Sequence, residues 1–279
     1  MSIKRLSLTP TPNVQHPYSY IQKTNPQDLQ IMARPQQPQF QNSHQELSLY
    51  SHITSSRQPQ ILRIISGITG MLPDTSLHHT LVFKPKRPKQ LGPGGGTELY
   101  YVHLVSRIDE TQEAEGKCYD VRKQKWTMTL EDIPEPTRKP VTSRSVLSSD
   151  ISEGDAVAFM ESLGYTFQAA YFTKSERLVH NNVIIKLTQI LIPSNPPAPD
   201  NTVTPSADEM LGNPFPVSAL TPLDPAKSWI LKASVRVQSN QDVENLNVGA
   251  NELKGFKELM KGMCDLEVAE RLALDTRVR

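Results

Sequence analysis

Cysteine is nearly absent: Cys118 and Cys264 are the chain's two. They lie far apart and form no CxxC pair, so neither a disulfide framework nor a zinc knuckle can be built from them, and their scarcity fits a reducing compartment. A surplus of either charge is missing too. Lys and Arg total 30 against 29 Asp and Glu, a formal net charge of +1. Proteins that coat nucleic acid or an anionic membrane carry excess cation, which argues against both classes. Nor is there a long apolar run. The most apolar stretch, Val183 to Ile192, is interrupted by Lys186, Thr188 and Gln189, and it falls far short of the roughly 20 apolar residues a bilayer requires. The opening Met1-Ser-Ile-Lys-Arg-Leu6 leads into polar Thr, Pro and Gln, with no apolar leader. The expectation is a soluble, intracellular chain.

Hydrophobic residues are also sparse, at 37%, against about 45–50% in an ordinary globular protein. Proline is in excess, and its distribution explains the dilution. Of the 23 prolines, 21 fall in residues 1–44, 85–97, 131–150 and 193–225. Residues 1–44 are rich in Gln and Pro and poor in aliphatic side chains. They cannot bury enough apolar surface to offset ordering entropy and read as a disordered tail. The other three stretches read as long Pro-rich loops, 85–97 including Gly94-Gly-Gly96. Everything else, within 45–279, reads as one domain.

Within that domain the pattern is mostly of strands. Glu46 to Ile53 alternates, with Leu47, Leu49, Ser51 and Ile53 on one face. Ser76–Lys84, Glu98–Ile108 and Lys117–Leu130 are β-branched and aromatic runs bounded by turn sequence. Tyr165–Thr173 and Arg177–Ile192 read as a hairpin turning near Lys174-Ser-Glu176, and Lys227–Val237 is another alternating strand. Several runs exceed ten residues, which suits a strongly curved sheet or a closed barrel. Three helices are expected. The first has Ser55 or Ser56 as N-cap, Pro59 in its first turn, an apolar face of Ile61, Leu62, Ile64, Ile65 and Ile68, and Gly67 or Gly70 as its stop. The second runs about 153–163. The third, about 249–264, has Leu253, Phe256, Met260 and Met263 on one stripe. The fold class is α+β, mostly β: a single multi-stranded antiparallel β-barrel with a few flanking helices.

A closed barrel can hold an active site in its lumen. A tunnel that holds metal and triphosphate does so with alternating Glu-x-Glu-x-Lys, three charges on one inward face. The first strand offers Glu46-x-Ser48-x-Tyr50, one carboxylate and two neutral groups. The other inward candidates are apolar or uncharged: Tyr101, His103 and Val105, or Tyr100, Val102 and Leu104. Asp265, Glu267 and Glu270 read as a solvated acidic turn. The seven histidines show neither HxxxH nor HExxH spacing, and GxSxG, GxGxxG and a phosphate loop are lacking. No strand combines a basic face with exposed aromatics, so a sequence-specific nucleic-acid site is not expected. Trp126 and Trp229 read as core contacts. No catalytic residue, cofactor or metal site is assigned. One charged motif stands out, Lys84-Pro-Lys-Arg-Pro-Lys89, in which Lys86, Arg87 and Lys89 match a short nuclear-import signal in an extended loop. A solvated basic loop accounts for it equally well. Thr9, Thr11, Thr204 and Thr221, each before Pro, are weak candidates for proline-directed phosphorylation.

Several blocks taken together carry a resemblance. They are Glu46–Ile53, Arg57–Gly70, Arg177–Leu187, Trp229–Gln238, Asn251–Gly262 and Asp265–Val278. In this order they resemble subunit 18 of the Mediator complex, especially its filamentous-fungal form, over roughly residues 45 to 279. The resemblance implies a β-barrel in the Mediator head module, the coactivator linking gene-specific regulators to RNA polymerase II in the nucleus. It implies pairing with Mediator subunit 20, a related barrel, grip on a C-terminal helix of Mediator subunit 8, and contact with other head subunits. The barrel of that family is similar to metal-dependent RNA triphosphatases, yet the family is not known as an enzyme. The expected function is therefore non-enzymatic protein–protein binding, with no small-molecule substrate and no membrane. The alternative is a barrel-lumen, metal-dependent phosphohydrolase of RNA-triphosphatase type.

Overall fold

The computed structural model describes residues 40–86, 99–108, 121, 124–136, 140–151, 153–193 and 220–278. The N-terminal tail reading, Arg87, Lys89 and most of the Pro-rich stretches lie outside them. In chain order the elements are β1 (Asn42–Ile53), α1 (Gln58–Thr69), β2 (Asp74–Pro85), β3 (Val102–Ile108), β4 (Trp126–Glu131), β5 (Thr142–Ile151), α2 (Ala156–Ser162), β6 (Tyr165–His180), β7 (Val183–Pro193), β8 (Leu220–Pro222), β9 (Trp229–Val237) and α3 (Val243–Leu259). A 3₁₀ turn, Arg271–Leu274, follows.

The strands pair in the order β6-β2-β3-β4-β5-β1-β9-β7-β8, and β7 pairs back onto β6. Eight strands thus close on themselves, all antiparallel. Closure leaves no long open edge. The short β8 continues alongside β7 beyond the point where β9 leaves it.

Alternation decides what each wall carries. On β1 the odd-numbered Leu47, Leu49 and Ile53 point outward and are buried under helices, while Glu46, Ser48 and Tyr50 point into the barrel. The outer wall carries three separate apolar clusters, which distinguishes it from an interior, where all would merge. One unites β1, β7 and β9 with Ile61 and Ile65 of α1 and Leu246, Leu253 and Phe256 of α3. A second unites Leu81, Phe83, Leu104, Trp126 and Met128 with Met160 of α2. The third is small, built on Leu77, Ile108, Phe172 and Leu191. Trp126 and Trp229 are core residues as expected, and the Trp126 indole donates to the Val121 carbonyl at 3.1 Å.

Several expectations are corrected. Residues 131–150 are not a loop throughout: Thr142–Ile151 form β5, a full member of the ring. Their serines disguise it, because Ser143 and Ser145 hydrogen-bond to Gln45 at 2.8 and 3.0 Å in place of apolar packing. Leu220–Pro222 form β8 inside the 193–225 stretch, and this places Thr221 in a strand. β6 does not turn at Lys174–Glu176. It runs unbroken to His180, and the hairpin turns at Asn181-Asn182, with Asn181 at φ 53°, a left-handed conformation asparagine tolerates. Of the expected Lys117–Leu130 strand the described residues 121, 124 and 125 are not extended and β4 begins at Trp126; of Glu98–Ile108 the described residues are continuous strand from Val102. Neither Ser55 nor Ser56 caps α1, whose N-cap is Arg57 without a side-chain bond, while Gly70 closes it at φ 65°. α2 begins at Ala156, capped by Asp155. α3 begins at Val243, six residues before the expected start, because Asp242 accepts from the Asn245 amide.

The segment after α3 straps the end of the barrel where β1 finishes. Glu267 exchanges backbone hydrogen bonds with Tyr50 at 2.8 Å, and Tyr101 donates to Thr276 at 2.9 Å. Between them Arg271 Nε donates to the Pro134 carbonyl at 2.7 Å and the Thr276 hydroxyl to the Glu131 carbonyl. The strap therefore crosses the ends of β1, β5, β4 and β3 in turn.

Candidate functional site

The barrel interior is charged. Glu46 of β1 stands at its centre, 5% exposed, with Lys232 Nζ of β9 at 2.6 Å and Arg144 Nη2 of β5 at 3.3 Å from Oε1. Arg144 turns its other nitrogen to Glu131 of β4 at 2.6 Å. Burial pushes the Glu46 carboxyl up, but Lys232 and Arg144 outweigh it and hold the group below the ordinary carboxylate range. Burial alone would weaken the Arg144 guanidinium; Glu131, Tyr50 and Glu46 more than offset this and raise it. Ser48 donates to the Tyr50 hydroxyl at 3.2 Å, and Lys232 lies 6.0 Å from the Tyr50 ring centroid.

Glu46, Ser48 and Tyr50 share the inward face as their spacing predicts, and His103 also lines the lumen near Glu131 and Arg144. The expectation that the remaining inward faces are uncharged is corrected by Arg144, Lys232 and Lys186. Arg144 was missed because its strand carries three serines within five residues and sits in a Pro-rich stretch. Lys186 and Lys232 are the even positions of alternating strands, and period-2 reading of β7 and β9 exposes them.

Lys186 is the least satisfied of these. It lies between Arg177 of β6 and Lys232 of β9 in register, three cations in a row across adjacent strands. Burial, then Lys232 and Arg236, lower its pKa. Among the described residues it makes no ion pair or hydrogen bond.

The arrangement holds cations against two carboxylates, each engaged with a cation. Among the described residues no group of three His, Cys, Asp or Glu side chains is placed to hold a metal ion. Asp265, Glu267 and Glu270 are exposed in the strap, and the first two line a shallow pocket with Ser51, His52 and Val268. Of Lys86, Arg87 and Lys89 only Lys86 is described, its amide donating to the Gly164 carbonyl at 2.8 Å. No helix among the described residues is long and apolar enough to cross a membrane.

The outer surface shows a different chemistry. Val243, Val248 and Leu259 stand exposed on the face of α3 turned from the barrel, and Val268 and Leu272 on the strap. Leu72, in the turn between α1 and β2, is 88% exposed.

The family described as Med18 protein matches residues 45–277, from within β1 to the end of the strap. The chain belongs to the Mediator subunit 18 family. Among its relatives, "Mediator of RNA polymerase II transcription subunit 18" of Yarrowia lipolytica is 31% identical over 84% of this chain and 100% of its own length. The subunit of the same name from Aspergillus fumigatus is 27% identical, covering 84% of this chain and 99% of its own. A chain of the Schizosaccharomyces pombe Mediator head module shares the fold, with TM-score 0.60 at 22% identity, over 81% of this chain and 98% of that one. Membership makes the chain a structural subunit of the Mediator of RNA polymerase II transcription.

Proposed function

We propose that this chain is a non-enzymatic scaffold of the Mediator head module, acting in the nucleus. It helps bridge gene-specific regulators to RNA polymerase II and the basal machinery through protein–protein contacts. The family match over residues 45–277 carries the reading. The geometry supports it: both identified lumen carboxylates, Glu46 and Glu131, are bound to the chain's own cations, while unpartnered apolar side chains lie outside, on α3 and the strap. Binding energy then comes from burying outer surface, the mode in which barrels and amphipathic helices associate. Mediator subunit 20 and the C-terminal helix of Mediator subunit 8 are the proposed direct partners. Lys86, Arg87 and Lys89 are the proposed import motif.

Co-expression with subunit 20 and the subunit 8 helix from the same organism tests the partner assignment. A single ternary species on gel filtration is expected. Recovery of this chain alone, with neither partner retained, overturns it.

A further inference from the structure

One wall of the lumen is electrostatically unfinished. Like charges directly opposite on neighbouring strands destabilise a sheet, yet Arg177, Lys186 and Lys232 stand opposite one another on β6, β7 and β9. Glu46 neutralises Lys232. Asp74, opposite Arg177, is bound instead to Arg107 at 3.4 Å at an exposed mouth of the barrel. Among the described residues no acidic side chain closes on Lys186.

Two further groups on the same wall lack partners. The Ser175 hydroxyl, on β6 two residues before Arg177, belongs to a side chain with 0% exposure and makes no hydrogen bond. His78 Nδ1 of β2 is likewise buried and unpaired. Register places all of these on the inward face, His78 opposite Thr173, and Ser175 between Ser76 and Thr188. Burial, with Lys186 and Arg107 nearby, lowers the His78 pKa to about 4, so the ring is neutral at pH 7. Buried polar groups left unsatisfied are uncommon and costly, about 1–3 kcal/mol each. Their gathering beside an unpaired lysine is a local conflict that an anion would relieve.

We infer that the wall formed by β2, β6 and β7 is a binding site for a phosphate-type oxyanion, held by Lys186 and Arg177 with Ser175 and His78 as hydrogen-bonding neighbours. The interior of an eight-stranded barrel is filled by side chains or holds at most one small ligand, which excludes a peptide strand. Polar groups on the inward faces of three adjacent strands suit a tetrahedral group with three or four acceptor oxygens better than a planar carboxylate with two. The charge of a phosphate dianion balances half-buried Lys186 and the more exposed Arg177, and charge-assisted hydrogen bonds are the strong ones. No bond is made or broken: the site binds, and in binding it stabilises the barrel from within.

Calorimetry and thermal melting of the full chain at pH 7 test this with sodium phosphate and sodium pyrophosphate, against sodium chloride and hexaglutamate at matched ionic strength. Saturable binding near one ion per chain is expected for both phosphates and not for the controls, with a melting temperature that rises with ligand concentration. Lys186→Met should weaken binding roughly tenfold or more. It should also melt higher than the parent without ligand, because it removes an unpaired, half-buried ammonium flanked by two other cations. Ser175→Ala should weaken binding less, and Lys254→Met, on α3, not at all. Absence of saturable binding, unchanged affinity in Lys186→Met, equal loss in Lys254→Met, or equal binding of hexaglutamate overturns the inference.

Discussion

Glu46 is the residue on which the interior depends. Its carboxylate is the shared counter-ion of Lys232 and Arg144, and all three lie within the barrel. Removing one member of a buried ion pair leaves an uncompensated charge, typically a loss of about 3–5 kcal/mol. Glu46→Gln keeps the shape and removes the charge, so urea unfolding at pH 7 should show a loss of about 3 kcal/mol. Adding Lys232→Met should recover part of it, since the double variant has one cation fewer to strand. A Glu46→Gln chain within about 0.5 kcal/mol of the parent would show that lumen water, not Glu46, balances these cations. Glu46 was legible in the sequence as the one carboxylate in its strand, with Ser48 and Tyr50 as neutral companions. Arg144 was not, because a strand whose outward positions are serines lacks the apolar alternation that marks a strand.

At the scale of elements, the docking of α3 onto the barrel turns on Gly249. A Cβ there would meet Val235 Cγ1 at 2.9 Å and Leu47 Cδ1 at 3.2 Å, so the helix approaches β9 and β1 as closely as it does only because the side chain is absent. Overpacking costs about 1–3 kcal/mol, against at most about 1 kcal/mol gained by replacing a helical glycine with alanine. Gly249→Ala should therefore destabilise the chain by about 1 kcal/mol, and Val235→Ala added to it should be less harmful than Val235→Ala alone. Additive losses in a double-mutant cycle would contradict this. The Leu253–Phe256–Met260 stripe was plain from its spacing, yet the helix start was misplaced. Leu246 and Gly249 extend the buried face toward the N-terminus, but Gly and Asn read as helix breakers when their packing is unseen. The β6–β7 turn was misplaced for a related reason: Lys174, Ser175 and Glu176 look like turn residues, whereas strand pairing absorbs them and leaves Asn181-Asn182 to turn.

The whole molecule divides its chemistry by wall. Charged groups lie inside, where Glu46 and Glu131 meet the chain's own cations, and apolar groups outside, where α1, α2 and α3 cover much of the surface and α3 and the strap leave some open. The near-zero net charge agrees with a subunit that binds proteins over surface area instead of attracting a polyanion over distance. Barrel class and family were legible because long alternating runs and ordered blocks survive in the sequence. The identity of the lumen was not, because closure brings together β1, β4, β5 and β9, whose separation along the chain hides their meeting. The most direct measurement is affinity purification of the tagged full-length chain from nuclear extract of its own organism, followed by gel filtration and mass spectrometry. The chain is predicted to elute with other Mediator subunits in an assembly many times its own 31.3 kDa. Elution as a free monomer, with no Mediator subunit retained, would contradict the account.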